Sequence, residues 1–511
     1  MSTRARVIKN TGFLYMKMGI TVFISLYTTR LILASLGASD FGLFNIVGGA
    51  ISMLGFLNST MANATQRFMS YAEGENNLEK KRQVFNVSIV LHLFIAFLTS
   101  VLLFGAMAPL FSGVLNIDPS RVMPARVVYI SLIISTAFTV VNVPYDAVMN
   151  AHENMLYYSL IGIVEALLKL AVAFACVYTA ADKLIVYGVL MAFIPCVTLT
   201  VMKVYCHRKY EECVISFRRF WNGSLLREIT SFSGWNFLTA VSSMLSTYGV
   251  GIVLNHFFGT ILNAAQGIAN QVNGQLSAFS LNLMKAVNPI IVKMAGAKNM
   301  EAMNYATLLS GKFSTLLIVF FAVPFILEMD YVLHIWLKDV PLWTSLFCCL
   351  QLVITITNQL CSSTATALYA EGHIKWYAIY KSIMNFAPVV FTYLAFCYGC
   401  APYWLYVCLI VFGALGGDVV ILFYANRQCH LSPRDFVVEV VVPVLVIVVM
   451  MCTGGYMLQL VMAKGLFRLI MSVSVSSVIF VISVWFVAFR EQERMQVRIV
   501  MTKVFSKFYR P

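Results

Sequence analysis

Seven basic residues stand inside long apolar runs of this 511-residue chain: Lys17, Arg30, Arg126, Lys169, Lys312, Lys381 and Arg468. The acids Glu165 and Asp418 stand inside such runs too. An ionisable side chain at membrane depth is costly and is by default a functional hypothesis. The set is mainly basic, so a cavity lined by it attracts an anion such as a phosphate, which Arg suits especially well. Glu165 and Lys169 are four residues apart and can pair on one helix face, either as a structural ion pair or as part of a site. Lys17, Lys312 and Lys381 lie near helix ends that the charge pattern places in the cytoplasm, where their ammonium groups can snorkel outward. Arg30 is placed in the same way toward the opposite end.

A second constellation is uncharged. Asn263, Gln266, Asn270, Asn273 and Ser277 follow one another at spacings of 3, 4, 3 and 4, along one helical face. Asn45, Ser52, Ser59, Asn63 and Gln66 form a looser stripe earlier in the chain. Such groups facing lipid cost free energy, so the stripes face protein or water. Interhelical hydrogen bonds, worth about 0.6 kcal/mol per contact, are one reading. The length of the unbroken stripe favours the other, a hydrated cavity wall able to meet sugar hydroxyls. The basic residues and this wall form the candidate binding set, and Glu165 and Asp418 the candidate sites for a coupling ion.

The elements that must position these residues are membrane helices. Hydrophobic residues make up 60% of the chain and charged residues 11%, against about 25% in an ordinary soluble protein. Mean hydropathy is +0.81. A soluble enzyme, a disordered chain and a collagen-like fibre are excluded. The apolar runs are continuous rather than alternating, which argues against a β-barrel. The expectation is an all-α polytopic membrane protein. Fourteen spans are predicted, at 12–35, 41–66, 84–110, 124–148, 155–180, 184–206, 229–256, 260–288, 305–328, 342–369, 376–398, 402–424, 438–460 and 466–489. The basic N-terminus resembles a signal peptide, but its apolar run continues past Arg30 and reads as an uncleaved first span.

The net charge of +14 is mainly topological. With a cytoplasmic N-terminus, the external loops hold only Arg121, Lys183, Lys338 and Lys464, and most other Lys and Arg fall in cytoplasmic segments. The asymmetry places both termini in the cytoplasm. An internal offset of 222 residues lays Gly12 on Gly234, Gly37 on Gly259, Gly74 on Gly296 and Asn77 on Asn299. It divides the chain into a first six-helix bundle at 1–206, a linker at 207–228, a second bundle at 229–424, and two added helices with a basic tail at 425–511. The linker, rich in Arg and aromatics, reads either as a simple connection or as a short helix on the cytoplasmic membrane surface. Parallel halves of this kind are a transporter pattern.

Several chemistries are missing. The sequence has no GxxxxGK[ST] phosphate loop and no HExxH, and no paired CxxC spacing for zinc. No cofactor or metal is expected. Cys397-Tyr-Gly-Cys400 lacks the βαβ context of a redox motif, and the other cysteines mostly sit in apolar runs, where they behave as small hydrophobes.

The stretch RLILASLGASDFGLFNIVGGAISMLGFLNSTMANATQRFMS from Arg30, FRRFWNGSLLREITSFSGWNFL from Phe217 and FFGTILNAAQGIANQVNGQLSAF from Phe257 resemble the polysaccharide-biosynthesis and O-antigen flippases. Those proteins share a superfamily with the MATE-type multidrug exporters and the lipid II flippase. The resemblance covers spans 1–12. It implies two six-helix bundles in a V, alternating access, and export of an undecaprenyl-diphosphate-linked oligosaccharide across the bacterial inner membrane. It also implies H+ or Na+ as a coupling ion and polymerase machinery as a partner. The cavity bases it implies fall on Lys17 and Arg30 in span 1 and Arg67 at the end of span 2. Span 8 departs from that pattern, with amides in the stripe and Lys285 only near its inner end. The substrate-binding set is then Lys17, Arg30, Arg67, Lys169, Asn263, Gln266, Asn270 and Asn273. The alternatives are an ion-coupled multidrug antiporter, which needs more acids inside, and a membrane polymerase or glycosyltransferase, which needs catalytic carboxylates or a large external loop.

Overall fold

The computed structural model describes residues 3–52, 55–111, 117–337, 340–491 and 493–495. Among these residues the chain is helical, and eleven helices are long and apolar enough to cross a membrane. The protein is a multi-pass membrane protein. The eleven coincide with predicted spans 3–7 and 9–14. Spans 1, 2 and 8 correspond to three further long helices, α1 (Thr3–Ser52), α2 (Gly55–Gly74) and α9 (Thr260–Gly296). Helix α1 carries both span 1 and the start of span 2, because the chain turns inside it at Gly37, whose φ is 78°.

The remaining elements follow in order. They are α3 (Leu78–Pro109), α4 (Val122–Ala151), α5 (Met155–Tyr178), α6 (Lys183–Lys209), α7 (Phe217–Phe220), α8 (Gly223–Phe258), α10 (Met300–Leu327) and α11 (Met329–Leu337). Helices α12 (Thr344–Leu360) and α13 (Ser362–Glu371) make one span, and α14 (Lys375–Cys397) the next. Helices α15 (Trp404–Cys408) and α16 (Gly417–Cys429) flank a π-helical stretch, Leu409–Gly416. Helices α17 (Pro433–Phe436), α18 (Val442–Val461) and α19 (Leu466–Ser483) complete the chain.

Local chemistry sets the boundaries. Asn77 caps α3 by accepting from the Lys80 N–H at 3.0 Å, and Asp182 caps α6 by accepting from Leu184 at 3.0 Å and Ile185 at 3.3 Å. The predicted repeat appears in the backbone. Gly37 and Gly259, 222 apart, both have φ of 78°, a left-handed conformation that glycine adopts without steric cost. Asn76 and Lys298, also 222 apart, have φ of 53° and 55° and close turns of the same pattern.

The chain divides into two compact units, Met1–Ala240 with Lys285–Asn299, and Val241–Met284 with Met300–Pro511. The sequence-based division falls in the linker, whereas the structural one cuts α8 and α9. The reason lies at the end of α9. A Cβ at Gly74 would overlap the Lys293 carbonyl, and one at Gly296 would overlap the Tyr71 carbonyl, so α2 and α9 touch backbone to backbone at the two repeat-related glycines. Charge fixes the same contact. Glu73 meets Lys81 at 2.7 Å, Lys293 at 3.5 Å and His152 at 3.6 Å, and Lys293 also meets Glu153 at 3.6 Å. His152 in turn pairs with buried Glu212. Burial opposes the charge on Glu212, but the His152 contact outweighs it and holds that carboxyl below the usual range. Gly74→Val is therefore expected to destabilise the first unit by about 1–3 kcal/mol, since backbone rather than a flexible side chain must move. Thermal unfolding of the purified variant measures this.

The linker docks on α3. Asn86 donates to the Val214 carbonyl and accepts from the Ser216 N–H, at 2.8 and 2.9 Å. Arg218 and Arg219 of α7 point outward. In the second unit Lys312 does not snorkel. It is 4% exposed, donates to the Ala488 carbonyl at 2.7 Å and pairs with Glu493 at 3.1 Å, which ties the segment after α19 to α10. Arg468 pairs in the same buried manner with Glu328 at 2.8 Å, tying α19 to the end of α10. These two cations are structural.

Candidate functional site

In the first unit, α1, α5 and α6 line an open cavity of about 490 Å³, with Lys17, Thr21, Ser25, Glu165, Lys169 and Tyr187 on its wall. Helix α1 contributes Lys17, Thr21 and Ser25 at spacings of four, so one face of the helix points inward. Glu165 and Lys169 form the anticipated i, i+4 pair at 2.7 Å, half-buried on the opposite wall. Lys169 is thereby neutralised by its own helix.

Lys17 is different. Its ammonium lies 4.4 Å from the centroid of the Tyr158 ring, and that of Lys285, from α9, lies 3.9 Å from the same centroid. Lys285 also donates to the Tyr158 hydroxyl. Two cations thus converge on one aromatic ring, whose quadrupole favours positive charge over its faces. Among the described residues neither ammonium has a carboxylate within ion-pair distance, whereas Lys81, Lys169, Lys293 and Lys312 each do. A counter-charge comes from Asp146 of α4, which interacts electrostatically with Lys285 and Lys17 and accepts a hydrogen bond from Asn142 at 3.2 Å. The arrangement is one positive charge in excess, in a partly buried setting, which is chemistry suited to an oxyanion.

Gly162 makes room for this geometry. A Cβ there would overlap the Cε and Nζ of Lys17. The overlapped group is the far end of a flexible side chain, so Gly162→Ala is expected to fold normally. It should displace the ammonium from Tyr158 and weaken oxyanion binding severalfold. Unfolding temperature and a binding isotherm for a prenyl diphosphate, measured on the same preparation, separate the two effects.

The other candidate residues lie elsewhere. Arg67 is buried, with its guanidinium 4.5, 5.5 and 4.8 Å from the ring centroids of Phe68, Tyr71 and Phe232. The side chain of Arg30 lies outside the described residues, as does that of Asn45. The span 8 stripe is in the second unit and divides by environment. Asn273 accepts from Thr355 of α12 and from Ser277, so this part is interhelical hydrogen bonding. Gln266 is buried against Gly251 of α8, with a Cβ there falling 3.0 Å from its Oε1. Asn263 is half-buried with its Oδ1 unpartnered, and Asn270 is exposed. Asp418 is buried in the second unit. It interacts electrostatically with Lys381, while Lys381 lies against Gly417 and donates to the Gly413 carbonyl at 3.4 Å within the π-helical stretch. Lys381 is therefore held inward, not snorkelling.

Sequence reasoning missed Asp146, Asn142 and Tyr158. Asp146 had a readable signal, being the sole acid in α4, two residues after Pro144. Tyr158 had none, because a tyrosine near a span end is ordinary. Cys397 and Cys400 are free thiols at a turn where Gly399 has φ of 77°.

No family model and no curated protein matches the sequence. Solved structures do match in shape. An outward-facing multidrug resistance MATE family transporter of the MOP superfamily superposes with a TM-score of 0.70 at 14% identity, over 83% of this chain and 95% of the other. A MATE structure in the bent conformation gives 0.71 at 15% identity, over 84% and 95%. A MOP superfamily transporter from Pyrococcus furiosus, described as having a binding pocket of reverse polarity that suggests a different function, gives 0.68 at 13% identity, over 83% and 95%. The fold is MATE-like.

Proposed function

We propose that this protein is a flippase that moves an undecaprenyl-diphosphate-linked oligosaccharide across the bacterial cytoplasmic membrane by alternating access, for cell-surface polysaccharide synthesis. The observation that carries the reading is the convergence of Lys17 and Lys285 on Tyr158 without a carboxylate at ion-pair distance among the described residues. A diphosphate supplies the missing negative charge. The polar residues of the cavity wall, Thr21 and Ser25, can meet sugar hydroxyls, and the prenyl chain stays in lipid. The protein acts as a carrier rather than an enzyme, with the polymer-forming machinery downstream and H+ or Na+ as the coupling ion.

Deleting the gene is expected to abolish surface polysaccharide while lipid-linked repeat units accumulate in the membrane. Normal surface polymer in the deletion strain would contradict the reading.

Multidrug antiport is the second reading, favoured by the shared fold with MATE transporters. A cationic drug needs unpaired acids, and here Glu165 is held by Lys169 and Asp418 faces Lys381. The Pyrococcus furiosus neighbour, described by its reverse-polarity pocket, supports the idea that the fold carries pockets of either sign. Efflux of cationic dyes from cells that overproduce the protein distinguishes the two.

A further inference from the structure

Asp146 sits where an anionic substrate would compete with it. Its carboxylate interacts electrostatically with Lys285 of α9, Lys17 of α1, and Glu165 and Tyr158 of α5, and its hydrogen bond comes from Asn142 one turn earlier on α4. Helix α6 brings His207 to within 3.3 Å of the hydroxyl of the adjoining Tyr145. The charges that α2 and α3 carry near α4 are engaged elsewhere. Arg67 packs among rings, Glu73 holds Lys81 and Lys293, and the buried His92 ring bonds the Ser88 carbonyl. Among the described residues, Asp146 is therefore the carboxylate acting on Lys17 and Lys285 that has no cation at ion-pair distance. Asn142, which holds Asp146, has a buried Oδ1 with no hydrogen-bond partner among the described residues, so the polar groups around Asp146 are incompletely satisfied by the protein.

Resting on the flippase reading, we propose that Asp146 is a displaceable internal counter-anion, which selects a doubly charged diphosphate headgroup and couples its entry to the uptake of one proton. The charge balance gives the reason. Two ammonium groups and one carboxylate leave one positive charge in excess. A headgroup with one negative charge neutralises the site without further change. A diphosphate diester brings two, and would leave one uncompensated negative charge in a partly buried site, which is unfavourable. Neutrality returns when the Asp146 carboxylate takes a proton from water on the side from which the substrate enters. One O–H bond forms on Asp146, and both ammonium groups are left to the diphosphate. On release of the diphosphate the proton leaves and the carboxylate faces the lysines again. Asp146 thus acts through Lys17 and Lys285 as a positioning residue.

Calorimetry on the full chain in lipid nanodiscs tests this. The probes are a short prenyl-diphosphate sugar diester and the corresponding prenyl-monophosphate sugar diester, each titrated at pH 7 in two buffers of different ionisation enthalpy. The wild type is expected to take up about one proton per diphosphate bound and none per monophosphate. Asp146→Asn, which preserves shape, should bind the diphosphate about tenfold more tightly at pH 7, with no proton uptake and no dependence on pH, because no carboxylate has to be neutralised. Asp146→Glu should restore the uptake. Diphosphate binding without proton uptake in the wild type, or uptake that persists in a folded Asp146→Asn protein, overturns the role of Asp146 and leaves the flippase reading standing. Absence of binding by both probes overturns the two together.

Discussion

Lys17→Gln and Lys285→Gln are each expected to cut movement of the lipid-linked oligosaccharide at least tenfold, and the double variant little further. Each lysine alone contributes a charge-assisted contact to a partly desolvated anion, a contact of about 1.5–3 kcal/mol. The two act on one ligand through one ring, so their effects are not additive. The measurement is the pool of lipid-linked repeat units in the membrane together with polymer at the surface. Lys169→Gln is the informative comparison. Its ammonium is paired with Glu165 at 2.7 Å on a half-buried face, so its loss should have a much smaller effect. Equal losses at Lys17 and Lys169 would show that general cavity charge, not convergence on Tyr158, matters.

The largest stability effect is expected in the second unit. Arg468 and Glu328 are 7% and 1% exposed and 2.8 Å apart. Arg468→Met leaves the Glu328 carboxylate buried without its partner, a loss of about 3–5 kcal/mol. Arg468→Met with Glu328→Leu should recover most of that loss, because the double variant buries no charge. Thermal unfolding of the purified variants separates the cases. If the double variant is as unstable as the single one, packing rather than the ion pair holds α19 to α10. Neither substitution touches the first unit, so oxyanion binding by folded protein should persist.

These two sites illustrate what was legible in the sequence. The helical architecture was, because twenty-residue apolar runs admit few alternatives. So was the repeat: Gly37 and Gly259 share a φ of 78°, and Gly74 and Gly296 meet across α2 and α9. A glycine needed for conformation or close approach leaves a mark that survives when little else matches. The roles of individual charges were harder to read. Lys17, Lys312 and Lys381 look alike along the chain, yet Lys312 pairs with Glu493, Lys381 faces Asp418, and Lys17 shares a tyrosine with Lys285. What separates them is the partner contributed by a distant helix, and spacing along one helix carries no information about that. The same reason hid Asp146. The polar stripe of α9 shows the converse case, since its periodicity was clear but its amides differ in setting: Asn273 meets Thr355, Gln266 lies against Gly251, and Asn270 is exposed.

If Lys17 and Lys285 carry a lipid-linked diphosphate, they govern its movement between leaflets. The direct measurement is transfer of a fluorescent undecaprenyl-diphosphate oligosaccharide between leaflets in vesicles that contain the purified protein. Access to an impermeant quencher reports the transfer. Rapid transfer is expected with the wild type and almost none with Lys17→Gln/Lys285→Gln at equal protein content. Transfer that is unchanged in the double variant, or a wild type that moves cationic drugs and leaves the lipid-linked diphosphate in place, would contradict it.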